Sequence, residues 1–326
     1  MTIQHIAVVG AGAWGTALAF AAARAGRTVT LWARDAEAAA AMEAGRVNLN
    51  RLPEVTLPAG ILVTGDSRRL AEADVWLLAL PAQSLRGALQ GLSGEARAGL
   101  PLVICAKGIE RGSGLLLDRV VADVLPGRPL AVLSGPTFAI EVARNLPTAI
   151  ALACRDRALG EALVSAIGSA TFRPYYTADV TGALLGGATK NVIGLAAGIV
   201  AGRGYGENAR ASLLTRGLAE MSRLGRVLGA EAETLMGLAG LGDLILTGTS
   251  TQSRNYSHGL AIGRGVAPGL ALAEGAASAA ALLTLAAHND LEVPIAAAVV
   301  AVLEGRSSIE EAVEGLLSRP FRDEAI

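Results

Sequence analysis

Residues 5–34, HIAVVGAGAWGTALAFAAARAGRTVTLWAR, contain a glycine-rich turn between an apolar run and an alanine-rich helical stretch. HIAVVG has the β-branched, apolar composition of a buried parallel strand. Gly10, Gly12 and Gly15 then form a G-x-G-x-x-G, and TVTLWA at 28–33 predicts a second strand after the helix. The glycines are informative because a strand precedes them and a helix and strand follow. This order predicts a β–α–β unit of the Rossmann type, which binds a dinucleotide.

Each of the three glycines has a physical role in such a unit. Gly10 makes the tight turn, Gly12 lets a pyrophosphate approach the backbone, and Gly15 lets the helix close on the strand. The N-terminus of the helix offers free N–H groups and the positive end of its dipole to the phosphates. We therefore predict that Gly10, Gly12 and Gly15 bind the cofactor. A glycine-rich turn without a nucleotide is the alternative.

The end of the second strand bears on which cofactor binds. An acidic residue there usually holds the ribose 2′-hydroxyl of NAD, whereas an arginine suits the 2′-phosphate of NADP. The sequence reads Trp32-Ala33-Arg34-Asp35, with the arginine first. This order favours NADP(H) and leaves NAD(H) possible through Asp35. A solvated Arg34–Asp35 pair without a cofactor role is the alternative.

Further strands are predicted at the spacing of an α/β protein, with helices between them. They are GILVT (60–64), DVWLLAL (74–80), PLVICA (101–106), PLAVLSG (129–135) and TAIALAC (148–154). The alternation predicts a doubly wound, mostly parallel sheet. Strand signals stop near residue 180, and the remainder reads as helix and loop. We therefore predict an α/β dinucleotide-binding Rossmann domain over 1–180 and an all-α substrate and catalytic domain over 181–326.

Ligands of doubly wound sheets bind beyond the carboxyl ends of the strands. Three loops follow predicted strands there: Leu80-Pro81, Ala106-Lys107-Gly108 and Ser134-Gly135-Pro136-Thr137. Lys107 is therefore expected where the nicotinamide of the cofactor would lie.

Lysine is rare in this chain, since only Lys107 and Lys190 occur among 28 basic residues. Lys190 is the only charge between Asp179 and Arg203, in an apolar run that predicts a buried helix. Its neighbours at helical spacing are all small: Gly186, Gly187, Gly194 and Ala197. Such a face leaves a groove for a ligand or for another backbone. The alternative is a structural lysine that extends to the surface from the helix flank.

Polar residues of the second half suggest a phosphate site. Asp243 stands alone among apolar residues, and Ser253, Arg254 and Asn255 combine a hydroxyl, a guanidinium and an amide. These are suitable donors to a phosphate. A surface arginine is the alternative for Arg254.

Composition and missing motifs argue against several other functions. The net charge of −1 gives no electrostatic footprint for nucleic acid or an anionic membrane. Three dispersed histidines argue against a metal site, and serine-hydrolase and P-loop motifs are absent. Ile6–Ala23 is uncharged, but its glycines divide it into strand and helix, and it makes a poor signal peptide. Cys105 and Cys154 predict free thiols, so we expect a cytoplasmic protein.

Taken together, the motifs resemble those of the bacterial NAD(P)-dependent glycerol-3-phosphate dehydrogenases. They are collinear from the first strand to beyond residue 275: GAGAWGTALA, CAKGIE, LSGPTFAIEVA, LLGGATKNVIG, GENARASLLTRGLAEMSRLG, GLAGLGDLILT and TQSRN. The resemblance implies a Rossmann domain, a helical domain and a homodimer. It also implies interconversion of dihydroxyacetone phosphate and sn-glycerol 3-phosphate with NAD(P)H, which supplies phospholipid synthesis.

The resemblance also assigns roles to individual residues. Lys190 falls on the proton donor and acceptor, with Lys107 and Asp243 as further catalytic residues. Substrate positions are Lys107, Gly135, Thr137, Lys190, Asp243, Ser253, Arg254 and Asn255. Cofactor positions, besides the three glycines, are Ala13, Trp14, Arg34, Lys107, Ala139, Arg254, Leu272 and Glu274. No metal is implied.

The proposed chemistry explains why a lysine is required. Hydride addition to a ketone leaves an alkoxide that must take up a proton, and a lysine ammonium can donate one. Arginine holds its proton too tightly, whereas desolvation lowers a lysine pKa towards working pH. Asp243 could orient the lysine. Two alternatives stay open: a ketopantoate or hydroxyacid reductase, which needs a carboxylate site, and a dinucleotide sensor without turnover.

Overall fold

The computed structural model describes residues 2–267 and 274–320. The chain separates into two compact units. The first contains Met1–Ala106 and Leu117–Val180, and the second contains Lys107–Leu116 and the chain from Thr181 onwards.

The first unit is built on an eight-stranded sheet with the order β10-β9-β8-β7-β6-β1-β2-β5. Its strands are β1 (His5–Val9), β2 (Thr28–Trp32), β5 (Ile61–Thr64), β6 (Val75–Leu78), β7 (Leu102–Ile104), β8 (Leu130–Ser134), β9 (Thr148–Cys154) and β10 (Phe172–Thr177). A separate hairpin consists of β3 (Val47–Asn48) and β4 (Leu52–Thr56). Each pair of neighbours in the large sheet is parallel except β8 and β9. The predicted mostly parallel α/β fold is thus confirmed.

Helices connect the strands of this unit. They are α1 (Ala13–Arg24), α2 (Ala36–Gly45), α3 (Leu85–Gly91), α4 (Leu117–Val124), α5 (Ala139–Ala143) and α6 (Arg157–Ile167), with 3-10 turns at Ser67–Glu72 and Ala82–Ser84. The core lies between β-sheet and helices, with β1 residues such as Ile6 and Val8 fully buried against α1 residues such as Leu18. Cys105 and Cys154 are both buried and are in no disulfide within the described residues, as predicted.

Sequence reasoning missed two elements of this unit. β10 carries Arg173 and Pro174 and alternates between buried and exposed positions, as an edge strand does. The β3–β4 hairpin has a strand of only two residues and a proline in the other, so it lacks a clear strand pattern. The direction of β9 was also not foreseen. The connection from β8 contains only the five-residue α5 rather than a full crossover helix, and β9 returns antiparallel.

The described part of the second unit from Thr181 onwards is helical. Its helices are α7 (Val180–Arg203), α8 (Gly206–Leu228), α9 (Ala232–Met236), α10 (Asp243–Thr249), α11 (Arg254–Gly263), α12 (Glu274–Ala287), α13 (Pro294–Leu303) and α14 (Ile309–Leu317), with one π-helical turn at Leu238–Gly242. α7 is long and apolar enough to cross a membrane, but 94% of its apolar window is buried inside the protein. It is therefore the central core helix of this unit.

Residues 107–116 lie in the second unit, although the predicted first domain covered 1–180. Ile109 is buried in the helical core with Leu282 and Leu285. A Cβ on Gly114 would lie 3.0 Å from the Thr284 side chain, so the segment runs close to α12. Ten residues with few apolar positions carry no periodic signal, which explains why the sequence does not reveal this excursion.

Glu220 of α8 is a buried carboxylate at the start of α13. It accepts hydrogen bonds from the backbone N–H groups of Ile295 (3.0 Å) and Ala296 (3.3 Å), two of the unpaired donors of that helix. Burial raises the pKa of Glu220 to about 7, although these bonds and the charges of Arg223 and Arg319 oppose the shift.

We expect Glu220→Gln to make the free energy of unfolding less dependent on pH. Because the pKa is raised on folding, the folded state binds more protons between about pH 4.5 and pH 7, and stability falls as pH rises through this window. Glutamine does not titrate, so the variant does not lose this stability as pH rises. The Tm of the variant minus the Tm of the wild type should therefore increase from pH 5 to pH 8. Thermal unfolding at both pH values measures the difference. A constant difference would contradict the assignment.

Candidate active site

The glycine-rich turn between β1 and α1 has the geometry expected for a dinucleotide. Gly10 has a φ of +112°, and a Cβ there would lie 2.8 Å from the Ala79 carbonyl oxygen. A Cβ on Gly15 would lie 1.8 Å from the Gly10 oxygen, so only glycine allows this approach of helix to strand. A Cβ on Gly12 would meet nothing within 4 Å, so its backbone is open to a ligand.

The start of α1 keeps polar groups available. Gly12 is the N-cap and provides no side-chain cap, and Ala13 begins the helix without an acidic residue in the first turn. The indole Nε1 of Trp14 is buried and has no hydrogen-bond partner among the described residues. Free backbone N–H groups and an unsatisfied buried donor suit the phosphates of a dinucleotide. The residues present therefore fit the cofactor.

Arg34 and Asp35 differ in their availability. The Asp35 carboxylate caps α2, accepting from the N–H groups of Glu37 (3.1 Å) and Ala38 (3.0 Å). Arg34 is exposed. The acidic group is thus committed to a helix terminus, whereas the guanidinium is open to solvent.

The second unit brings Lys107, Lys190, Asp243 and Thr247 together in what we call the lysine–aspartate cluster. Lys190 Nζ donates to Asp243 Oδ1 at 2.9 Å and to Thr247 Oγ1 at 2.8 Å. Lys107 Nζ donates to the other carboxylate oxygen, Asp243 Oδ2, at 2.5 Å. Only 8% of Lys190 and 1% of Asp243 are exposed. Asp243 therefore holds both lysines through separate oxygens.

Small residues permit this arrangement. A Cβ on Gly186 would lie 2.5 Å from the Ala239 oxygen, and one on Gly194 would lie 2.5 Å from the Thr247 side chain. The groove predicted beside Lys190 is thus filled by the π-helical turn and α10, that is, by another backbone. Gly240 is equally restricted, because its Cβ would lie 2.0 Å from the Leu235 oxygen. The π-helical turn ends immediately before Asp243, and such turns are frequent at functional sites.

The electrostatics of the cluster favour proton exchange at Lys190. Burial, aided by the charge of Lys107, lowers the Lys190 pKa from 10.5 to about 8, while Asp243 and Glu274 oppose the shift. Burial raises the pKa of Glu274, the first residue of α12, against the charges of Arg254, Lys190 and Lys107. Lys190 can therefore carry or release a proton near neutral pH.

Thr247 is the member of the cluster that sequence reasoning missed. Its hydroxyl is buried and accepts from the Lys190 ammonium. The available signal was its spacing, since it follows Asp243 by four residues and shares its helix face.

The predicted phosphate donors lie at the start of α11. Ser253 is the N-cap, and its hydroxyl accepts from the Tyr256 N–H at 3.3 Å. The Asn255 amide donates to Asn191 Oδ1 at 2.8 Å and accepts from the Gly275 N–H at 2.8 Å, which ties α7 and α12 to α11. Within the part of the chain that the structure describes, the Ser253 hydroxyl hydrogen and the second Asn255 amide hydrogen have no acceptor. Arg254, the first residue of the helix, is exposed.

The remaining predicted residues lie elsewhere. In the first unit, Gly135 and Thr137 follow β8, where the Thr137 hydroxyl donates to the Gly135 oxygen at 3.3 Å, and Ala139 begins α5. Leu272 lies outside the described residues. No group of three or more metal-binding side chains occurs within residues 2–267 and 274–320.

Comparison with known proteins identifies relatives across the whole chain. Residues 5–160 match the sequence model of the "NAD-dependent glycerol-3-phosphate dehydrogenase N-terminus", and residues 179–314 match that of the C-terminus. The chain is 54% identical over 329 residues to the "Glycerol-3-phosphate dehydrogenase [NAD(P)+]" of Rhodospirillum rubrum, covering 99% of this chain and 94% of the relative. The protein of the same name from Parvibaculum lavamentivorans is 51% identical, with 99% of both chains covered.

A solved structure agrees with these matches. The crystal structure of glycerol-3-phosphate dehydrogenase from Coxiella burnetii is 38% identical in sequence and superimposes with a TM-score of 0.93, covering 97% of this chain and 99% of that one. The first matched region contains the glycine-rich turn and Lys107, and the second contains Lys190, Asp243 and Thr247. The chain belongs to the NAD-dependent glycerol-3-phosphate dehydrogenase family.

Proposed function

We propose that this protein is an oxidoreductase that interconverts dihydroxyacetone phosphate and sn-glycerol 3-phosphate with NAD(P)H. The observation that carries the proposal is the buried Lys190, held by Asp243 and Thr247 and with a pKa lowered to about 8. Family membership and the names of the relatives support the choice of substrate.

Lys190 acts as the general acid in the reductive direction. The nicotinamide, when bound, supplies the hydride that reduces the carbonyl carbon. Lys190 Nζ donates a proton to the carbonyl oxygen as negative charge develops there, and the resulting neutral amine regains a proton from solvent. In the oxidative direction the neutral amine accepts the hydroxyl proton of glycerol 3-phosphate.

The neighbours of Lys190 keep it in position and control its charge. The Asp243 charge favours the protonated form of Lys190, whereas burial and the Lys107 charge disfavour it. The balance of these effects places the Lys190 pKa near working pH. Thr247 fixes the direction of the ammonium by accepting one of its three hydrogens. Lys107 supplies a second positive charge for the carbonyl oxygen or the substrate phosphate.

The phosphate is assigned to the start of α11. The exposed guanidinium of Arg254 can form a charge-assisted, bidentate contact with a phosphate. The hydrogens still available on Ser253 and Asn255 and the free N–H groups of the first helical turn can add further donors. Gly135 and Thr137 complete the proposed substrate contacts by family resemblance.

The cofactor is assigned to the glycine-rich turn. Gly10, Gly12, Ala13, Trp14 and Gly15 form its phosphate site. The other proposed cofactor residues, which rest on the family resemblance, are Lys107, Ala139, Arg254, Leu272 and Glu274.

We propose that NADP(H) is preferred over NAD(H). Asp35 Oδ1 is engaged in capping α2, whereas the Arg34 guanidinium is exposed and suited to a 2′-phosphate. Arg34→Ala should raise the KM for NADPH roughly tenfold, the value of one charge-assisted contact, and change the KM for NADH little. Steady-state kinetics with both cofactors measure the effect. Equal changes for the two cofactors would show that Arg34 does not contact the 2′-phosphate.

The function is tested by following NADPH oxidation spectrophotometrically with three substrates. Turnover with dihydroxyacetone phosphate supports the proposal. Turnover with ketopantoate or another ketoacid instead would indicate a reductase with a carboxylate site. Binding of NADPH without turnover of any of these substrates would indicate a dinucleotide sensor.

We also propose a cytoplasmic homodimer that supplies glycerol 3-phosphate for phospholipid synthesis. The family resemblance supports this, and two buried cysteines outside any disulfide suit a reducing compartment. Light scattering coupled to size-exclusion chromatography tests the dimer.

A further inference from the structure

Asn48, at the end of β3, is a buried polar residue that contacts the glycine-rich turn. Only 3% of it is exposed. Its amide Nδ2 donates to the Ala11 carbonyl oxygen at 3.0 Å and to the Thr16 hydroxyl at 2.8 Å. Both hydrogens of one amide group are therefore used on the two sides of the same turn.

The two acceptors belong to the turn and to the start of the helix to which the cofactor phosphates are assigned. Ala11 stands between Gly10 and Gly12 in the turn, and Thr16 lies in the first turn of α1, where its N–H donates to the Gly12 oxygen at 2.9 Å. Asn48 thus links the turn to the helix that follows. Its amide points at a carbonyl oxygen and a hydroxyl, so it stabilises the backbone rather than contacting phosphate.

The hairpin that carries Asn48 is itself firmly attached. Arg46 donates from its guanidinium to the Ile61 oxygen at 2.8 Å and to Glu43 Oε1 at 2.7 Å, and it also contacts the Pro58 oxygen. Glu43 Oε2 accepts from the Val63 N–H at 2.6 Å. These bonds fix the C-terminal end of α2, which leads directly into β3, to β5 and the segment before it, so Asn48 follows a well-attached residue.

A turn that contains Gly10 and Gly12 needs such a support. Glycine loses more conformational freedom on ordering than any other residue. A turn that is disordered without ligand has to be ordered on binding, and this cost reduces the affinity. Two hydrogen bonds from a buried, fixed amide order the turn in advance.

We propose that Asn48 is a positioning residue for dinucleotide binding, which holds the glycine-rich turn in its binding conformation through Ala11 and Thr16. The inference rests on the proposed function only in that the ligand is NAD(P)H. Neither Asn48 nor its hairpin was singled out by the motifs.

The test measures the Kd of NADPH for the full chain by isothermal titration calorimetry, separately from turnover. Asn48→Ala should weaken NADPH binding roughly tenfold or more, because two buried hydrogen bonds are lost. At saturating NADPH, kcat and the KM for dihydroxyacetone phosphate should stay near wild type. Asn50→Ala, an exposed asparagine on the same hairpin, is the matched control and should leave the Kd unchanged.

Thr16 variants keep the test decisive if Asn48→Ala does not fold. Thr16→Val removes one acceptor and should weaken NADPH binding, whereas Thr16→Ser keeps the hydroxyl and should bind normally. In the double variant of Asn48→Ala and Thr16→Val, the effects should be less than additive, since both remove the same bond.

The outcomes separate this inference from the proposed function. Wild-type protein that binds NADPH but does not reduce dihydroxyacetone phosphate would contradict the function and leave the Asn48 test intact. An unchanged Kd in folded Asn48→Ala, or a lower kcat with unchanged Kd, would overturn the inference. A lower Tm with an unchanged Kd would show that Asn48 stabilises the fold alone. If neither NADPH nor NADH binds to the wild type, both proposals fail.

Discussion

Lys190→Arg is expected to lower kcat by roughly 10²–10⁴-fold, the usual contribution of general acid catalysis, while the Kd of NADPH stays unchanged. Arginine keeps the positive charge next to Asp243 but does not release its proton at working pH. Lys190→Met, of similar length, removes charge and proton together and should lose comparable activity. Single-turnover kinetics with dihydroxyacetone phosphate measure the loss. Near-normal turnover in a folded Lys190→Arg variant would refute the assignment.

The same group predicts opposite pH profiles for the two directions. Reduction requires the ammonium form, so kcat should fall as pH rises through about 8. Oxidation of glycerol 3-phosphate requires the neutral amine, so its rate should rise through the same range. Both inflections should vanish from the residual activity of Lys190→Arg. Inflections that persist in that variant would assign the titration to a different group.

Arg254→Ala is expected to weaken the binding of dihydroxyacetone phosphate roughly ten- to a hundredfold. A charge-assisted bond contributes about 1.5–3 kcal/mol, and a tenfold change in affinity corresponds to about 1.4 kcal/mol. Dihydroxyacetone has no phosphate for Arg254 to contact, so its kcat/KM should barely change. The ratio of kcat/KM for the two substrates is therefore the measurement.

Arg264→Ala provides the matched control for Arg254. Arg264 is also exposed but lies at the C-cap of the same helix, α11. Its replacement should therefore leave kcat/KM for both substrates unchanged. If a folded Arg254→Ala variant loses kcat/KM equally for both substrates, Arg254 contacts the cofactor or stabilises the fold instead. The phosphate site would then lie elsewhere.

The sequence by itself determined the β1–α1–β2 unit. Its signals are local, because β-branched strands, glycines at fixed spacing and a helix-forming run each act over a few residues. The requirement for glycine at position 15 is equally local, since a Cβ there would meet the Gly10 oxygen, whereas at position 10 the distant Ala79 carbonyl oxygen adds to the local requirement for a positive φ. The rarity of lysine also identified Lys107 and Lys190 before any contact was known.

Tertiary structure alone decided which groups meet. Asp243 contacts Lys190 across 53 residues and Lys107 across 136, and no periodicity encodes such pairings. Packing decided that the groove beside Lys190 contains α10 and that Asn48 contacts the glycine-rich turn across 37 residues. These are single side-chain contacts between distant segments. Their free energy depends on burial and on the placement of hydrogen-bond partners, which exist only once the chain has folded.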